Sequence, residues 1–178
     1  MDAAQRLFFK HGVASTAVEQ ITSGAKVAKG TFYLYFSSKE DILAALGDRF
    51  AETVLGKIKS AIAETPPHNW EAKLQAWATN CATGYLDSIQ LHDIAFLSSR
   101  RPTRKGLTDN ILINHLIELL QAGAQEKAWR IENPRFVAVF LFNGLHAAVD
   151  DADISETRVN RNRLTSRLKL LFLSSVGL

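Results

Sequence analysis

The sequence predicts an all-α protein in which a small helix-turn-helix head precedes a longer helical body. Three observations predict it. Apolar residues recur at helical spacing along most of the chain, and no segment alternates convincingly as a strand. Helix start signals punctuate those stretches: Ser37-Ser38-Lys39-Glu40, Asn69, Thr108 and Asn133-Pro134. Two short periodic stretches, 16–25 and 27–36, are joined by a turn-like Gly24-Ala25-Lys26.

Taken in order, Asp2 is the expected N-cap of a first helix with Ala3, Ala4, Leu7 and Phe8 facing inward. Gly12 supplies a left-handed C′ residue, with Val13 packing back on Phe8. Thr16 should cap the second helix and Glu19 reach back to it as a capping box. Val18, Ile21 and Ala25 form one buried stripe, and Val27 restarts it with Phe32 and Phe36. Lys29, Thr31, Tyr33 and Tyr35 are left pointing outward. Cation, hydroxyl and phenol groups on one short helix suit a surface of phosphates and base edges.

Ser37-Ser38-Lys39-Glu40 reads as a second capping box. It opens a long helix to about Glu64, with a stripe of Ile42, Leu43, Leu46, Phe50, Val54, Ile58 and Ile62. Pro66-Pro67 stops it and marks an internal boundary. Asn69 caps a helix to about Ser88 carrying Trp70, Leu74, Trp77, Cys81 and Tyr85, and a shorter helix covers about 92–99. A basic connection, Arg100 to Lys105, precedes the helix that Thr108 should cap, which carries Ile111, Leu112, His115, Leu116, Leu119 and Leu120. Pro134 at the first helical position starts a segment apolar nearly all round, the pattern of a helix buried on every side. A last helix from about Ser155 has Leu164, Leu168, Leu171 and Phe172 on one face and arginines on the others.

A chain of 178 residues, 47% hydrophobic and 22% charged, can bury a core of its own. The lone Cys81 cannot form an intrachain disulfide, and no signal peptide opens the chain. The apolar run 136–149 is interrupted by Asn143, Gly144 and His146 and is too short to span a bilayer. The expectation is a cytoplasmic protein without membrane contact. Residues 1–39 hold Arg6, Lys10, Lys26, Lys29 and Lys39 against Asp2 and Glu19, which accounts for the whole net charge of +3. A basic head on a neutral body fits a polyanion-binding end.

Enzymatic readings find little support. His146 and Asp150 stand at i and i+4, but no third ligand lies at metal-site spacing. His92-Asp93 is a single pair, and Cys81 has no identifiable base. No G-x-S-x-G, P-loop or GxGxxG is present. No catalytic activity, metal or cofactor is expected.

With these residues placed, Ala25-Lys26-Val27-Ala28-Lys29-Gly30-Thr31-Phe32-Tyr33-Leu34-Tyr35-Phe36-Ser37-Ser38-Lys39-Glu40 resembles the "AGVSKGTFYxYFxSKE" signature of the TetR family of transcriptional regulators. Ala3-Ala4, Leu7-Phe8, Gly12, Thr16 and Ile21 match ahead of it, so the similarity covers about residues 1–46. It departs at Lys26, where glycine is commonest, and at Ala28, where serine or threonine usually caps the recognition helix. The resemblance implies a DNA-binding domain over 1–46 and a helical ligand-binding and dimerisation domain over 47–178.

It also implies roles. Lys29 and Thr31 would reach base edges or nearby phosphates, and Gly30 would let the backbone approach. Tyr33, Tyr35 and Lys39 would bind phosphate oxygens, and Thr16 would present a helix N-terminus to phosphate. Trp77, Cys81, Tyr85, His92, Phe96, His115, Phe140 and Asn143 are candidates to line a pocket for an apolar or aromatic effector. The last two helices would pair with those of a second copy as a four-helix bundle. Phe136, Phe140, Leu141, Leu164, Leu168 and Leu171 would fill that seam, and Gly144 and Ala148 would allow close approach. Effector binding would shift the helix 39–64, and with it the spacing of two recognition helices on a pseudo-palindromic operator, relieving repression. The alternative is a helical protein-interaction module whose head has lost DNA binding, favoured by Ala28 and the short stretch before the first helix.

Overall fold

The computed structural model describes residues 1–94 and 110–178. Among them the regular elements are all helical: α1 Asp2–His11, α2 Val18–Ala25, α3 Lys29–Tyr35, α4 Lys39–Ala63, α5 Trp70–Leu86, α6 Ile89–His92, α7 Ile111–Gln125, α8 Pro134–Ser155 and α9 Arg161–Ser174. They form two compact units. One gathers Met1–Glu52 with residues 88–94, the other Thr53–Asp87 with residues 110–178. The division falls inside α4, and Pro66-Pro67 lies within the second unit.

The first unit closes over Ala4, Phe8, Ile21, Phe32, Ile42, Leu43 and Leu46, all buried. α1 begins at Asp2 itself with Met1 as its cap. Asp2 is therefore not the N-cap, because its carboxylate accepts from Arg49 Nη1 at 2.6 Å, while Gln5 accepts from Arg49 Nη2 at 2.8 Å. That guanidinium holds the Asp2 carboxyl below the usual range. Gly12 has a positive φ of 77° but an extended ψ of 160°, so it ends α1 without a left-handed turn. The long helix starts at Lys39, as the sequence pattern suggested. Ser38 Oγ accepts from Asp41 N at 3.2 Å, and the Asp41 carboxylate takes the backbone N–H of Ser37 at 2.9 Å and its hydroxyl.

In the second unit α9 packs on α5 and α7 on α8. Asn69 caps α5 by accepting from Ala72 N at 2.9 Å, and Asn133 caps α8 by accepting from Phe136 N at 3.0 Å, both where the sequence placed them. The cap of α7 is Asn110, which accepts from Leu112 N and Ile113 N; Thr108 lies outside the described residues. α6 ends at His92, and most of the expected helix 92–99 lies outside them too, as does the basic connection 100–105. Ser155 ends α8, so the last helix starts later, at Arg161 with Asn160 as its cap. The core centres on Leu74, Trp77, Ala78, Ala82, Ile113, Leu116, Leu120 and Phe172. Within the single chain α8 leaves Phe136 and Phe140 exposed.

Trp129 closes the far end of α7. Its Nε1 donates to Leu120 O at 2.8 Å and its ring lies on Gly123, where an added Cβ would come within 2.1 Å of Cζ2. Lys127, with φ 61°, and the bond from Ala128 N to Gly123 O at 2.9 Å form the turn that returns the indole. Gly123→Ala must expel that ring. We expect it to destabilise the protein by about 1–3 kcal/mol in urea unfolding, with a blue shift of tryptophan emission lost in the variant.

Candidate nucleic-acid interface

Of the three helices α1 to α3, the last presents the free surface. α2 ends in a Schellman turn: Lys26 takes a left-handed φ of 56° and ψ of 41°, and Val27 N donates to Thr22 O at 3.0 Å. The glycine-preferring conformation is therefore kept by a lysine, at some local cost. Ala28 is the N-cap of α3 and offers no side-chain acceptor. α3 is anchored by Phe32, buried and set edge-on to Tyr33 with ring centroids 5.2 Å apart. The opposite side exposes Lys29, Gly30, Tyr33 and Tyr35, while Thr31 is half-buried.

Three details differ from the sequence expectation. The stripe of α2 buries Ile21 and Thr22 but leaves Ala25 exposed, and Val27 is exposed as well. Thr16 does not cap α2. It is 1% exposed and its hydroxyl donates back to Gly12 O at 2.8 Å; Ala17 is the cap residue, and Gln20 Oε1 accepts its N–H at 2.8 Å. Glu19, freed from capping, pairs with the Lys29 ammonium across the turn. That bond lowers the Glu19 carboxyl and raises the Lys29 ammonium.

Lys39 is also placed differently from a side chain awaiting phosphate. Its ammonium donates to Val13 O at 2.7 Å, Ala14 O at 2.9 Å and Thr16 O at 3.2 Å. An ammonium has three protons, and all three are used on the α1–α2 loop. Sequence reasoning missed Leu34, which is 81% exposed between the two tyrosines, and missed Glu19 as the partner of Lys29. For Leu34 the signal was available: with Phe32 and Phe36 inward, position 34 faces away.

In the second unit the pocket candidates separate into two groups. Trp77 and Tyr85 are core. Trp77 Nε1 donates to His115 Nδ1 at 3.2 Å and its ring stacks on Phe172; the Tyr85 hydroxyl donates to Asp150 and its ring meets His146 at 4.9 Å. Cys81 is enclosed on the same helix, where burial pushes its thiol up to about 12. Phe140 and Asn143 instead line an open apolar face of α8 with Phe136, Val139, Gly144 and Ala147. His92 belongs to the first unit, against Phe50, and Phe96 lies outside the described residues. Of the seam candidates, Phe136, Phe140, Gly144 and Leu171 are exposed, Ala148 and Leu164 half-buried, and Leu141 and Leu168 buried within the chain's own core. Among the described residues no three His, Cys, Asp or Glu side chains converge as metal ligands, and no helix is long and apolar enough to cross a membrane.

A short buried-anchor helix behind a two-helix support, carried on an all-helical body, is the architecture of helix-turn-helix regulators. Residues 1–46 match the family described as bacterial regulatory proteins, tetR family. Over those residues the chain is similar to the DNA-binding domain of that family. The fatty acid metabolism regulator protein of Bacillus subtilis is 46% identical over 46 residues, 26% of this chain and 24% of that protein. Matches to curated relatives cover between 20% and 32% of those proteins' own length. Over the whole fold, the fatty acid degradation regulator FadR from Bacillus halodurans superposes with a TM-score of 0.78 at 27% identity, covering 99% of this chain and 96% of that one. FadR from Bacillus subtilis in complex with stearoyl-CoA shares the fold with a TM-score of 0.78 at 21% identity, over 99% and 97%. These relatives are regulators rather than enzymes.

Two tests follow from the geometry. Lys39→Met strands three carbonyls, so it should lower stability by about 1–2 kcal/mol in thermal melts and leave the salt dependence of any DNA binding as it was. Burial holds His146 below the usual imidazole value against the opposing pull of the Phe142 carbonyl and Asp150. The unfolded chain therefore binds the extra proton first as pH falls below about 6.5. Stability should be full above that pH and fall below it, by up to about 1.4 kcal/mol per unit, down to the folded pKa. His146→Gln should flatten the loss measured by urea unfolding between pH 7 and pH 5.

Proposed function

We propose that this chain is a ligand-responsive transcriptional repressor that binds a pseudo-palindromic operator as a homodimer in the cytoplasm. Residues 1–46 form the DNA-binding domain and 47–178 the ligand-binding and dimerisation domain. One observation carries the reading: α3, within the family match, exposes Lys29, Gly30, Tyr33 and Tyr35 together. Phenols and an ammonium on a helix that enters the major groove can hold phosphate oxygens and reach base edges. Leu34 adds an apolar contact of the kind a thymine methyl takes. Thr16 and Lys39 act one step back, by fixing the loop that leads into α2. Two such heads, one helical turn of DNA apart, account for a paired operator.

The exposed face of α8, with Phe136, Phe140, Gly144 and Leu171 of α9, supports the homodimer. An apolar face of this kind on an otherwise well-buried chain is what a subunit seam leaves uncovered. The effector is a long-chain fatty acyl-CoA. That class rests on the fatty acid regulators named among the relatives and on the stearoyl-CoA complex of one neighbour. It also refines the expectation of an apolar effector.

The test is fluorescence-anisotropy titration of a duplex from the gene's own upstream region at two salt concentrations, with and without stearoyl-CoA. We expect tight, salt-sensitive binding, at least tenfold weaker in Tyr33→Ala with helicity unchanged, and released by stearoyl-CoA. Weak binding indifferent to Tyr33→Ala, followed by no enriched sequence in a random-oligonucleotide selection, would overturn the regulator reading. Binding that no acyl-CoA affects would overturn the effector alone.

A further inference from the structure

We propose that Glu19 is a specificity-determining residue of the DNA interface: paired with Lys29, it keeps that ammonium from phosphate oxygens and presents it to base edges. The proposal rests on the reading of α3 as the recognition helix. Lys29 is the first residue of α3 and Glu19 the second of α2, so their contact bridges the turn of the helix-turn-helix. Both side chains are more than half exposed, at 54% and 63%, so the pair lies on the surface that DNA would meet. Gln20 rather than Glu19 bonds the Ala17 N–H, and the Glu19 carboxylate, in the first turn of α2, meets its own backbone N–H and the Lys29 ammonium.

The chemistry separates two kinds of acceptor. A phosphate carries a full negative charge, and it would approach Lys29 beside a carboxylate of the same sign. A guanine O6 or N7, or a thymine O4, is an uncharged acceptor and meets no such repulsion. Lys29 has three donors and the carboxylate occupies one, leaving the others for a base. Sequence-independent binding grows with each phosphate that a cation neutralises. Lys39 is already spent on backbone carbonyls, so pairing Lys29 as well lowers the charge the head can offer to arbitrary DNA. Counting lysines in the sequence overstates it.

The test is a double-mutant cycle of Glu19→Gln and Lys29→Gln, titrating the selected operator and a scrambled duplex of equal length across a salt series. Circular dichroism and melting check that the fold is intact. In Glu19→Gln we expect the scrambled duplex to bind up to about eightfold tighter per head at 0.1 M salt, with a slope steeper by about 0.9. The ratio of operator to scrambled affinity should fall. In the Lys29→Gln background the same change should leave slope and ratio near those of Lys29→Gln alone. Wild-type slope and ratio in Glu19→Gln would overturn the proposal, and so would an equal effect with or without Lys29, which would make it a matter of net charge. Failure of the unaltered protein to prefer any operator is a different result, and it would sink the regulator reading together with this one.

Discussion

The head depends on the first turn of α4. Three carbonyls in the loop between α1 and α2 converge within 3.2 Å of one ammonium, that of Lys39. Without it, a loop of small residues, Val13 to Thr16, would have to satisfy those acceptors from solvent and would keep its conformational freedom. With it, and with the Thr16 hydroxyl turned back onto Gly12, the direction in which the chain enters α2 is fixed. α3 inherits that direction through the three-residue turn Lys26 to Ala28. The same helix ties α1 farther along through Arg49 on Asp2 and Gln5. α4 then continues without a break from Glu52 into Thr53, so one hydrogen-bonded rod contributes to both units.

The exposed surface of α3 comes at a local cost. α3 has seven residues, no side-chain cap and a left-handed lysine just ahead of it. A helix that short is not stable alone. It is held by Phe32 and by the loop bonds behind it, while its exposed side carries Tyr33, Leu34 and Tyr35, of which Tyr33 also meets the Phe32 ring edge-on. The bonds that fix the head lie in the support, and α3 presents an exposed surface built on it.

How much of this was legible follows from what each signal measures. Helical period and Asn or Ser caps are local, so α4, α5 and α8 could be placed within a few residues from Ser38, Asn69 and Asn133. Caps failed where two candidates compete: Thr16 looked suitable for α2, but a buried hydroxyl bonded to Gly12 was the better use of it, and Gln20 took the capping duty. Period also reports that a face is covered without saying by what. Phe136 and Leu141 follow the same pattern on α8, yet one is 69% exposed and the other 5%. Pairings across helices, such as Glu19 with Lys29 or Tyr85 with Asp150, have no signature in sequence spacing at all.

The packing of the second unit bears on what could enter it. Trp77, Tyr85, His115 and His146 have their polar atoms engaged with one another, with Asp150 or with backbone, and Trp77 and Tyr85 are buried. A ligand entering among them must break those bonds and part close-packed helices such as α5 and α9. Each buried hydrogen bond left unmade costs about 1–3 kcal/mol, so a small polar molecule has too little to offer in exchange. A long acyl chain gains about 0.8 kcal/mol per buried methylene, which over sixteen of them is on the order of 13 kcal/mol. A ligand with that much apolar surface has enough to offset several such broken bonds. On the acyl-CoA reading proposed above, chain length is therefore the variable that should set potency.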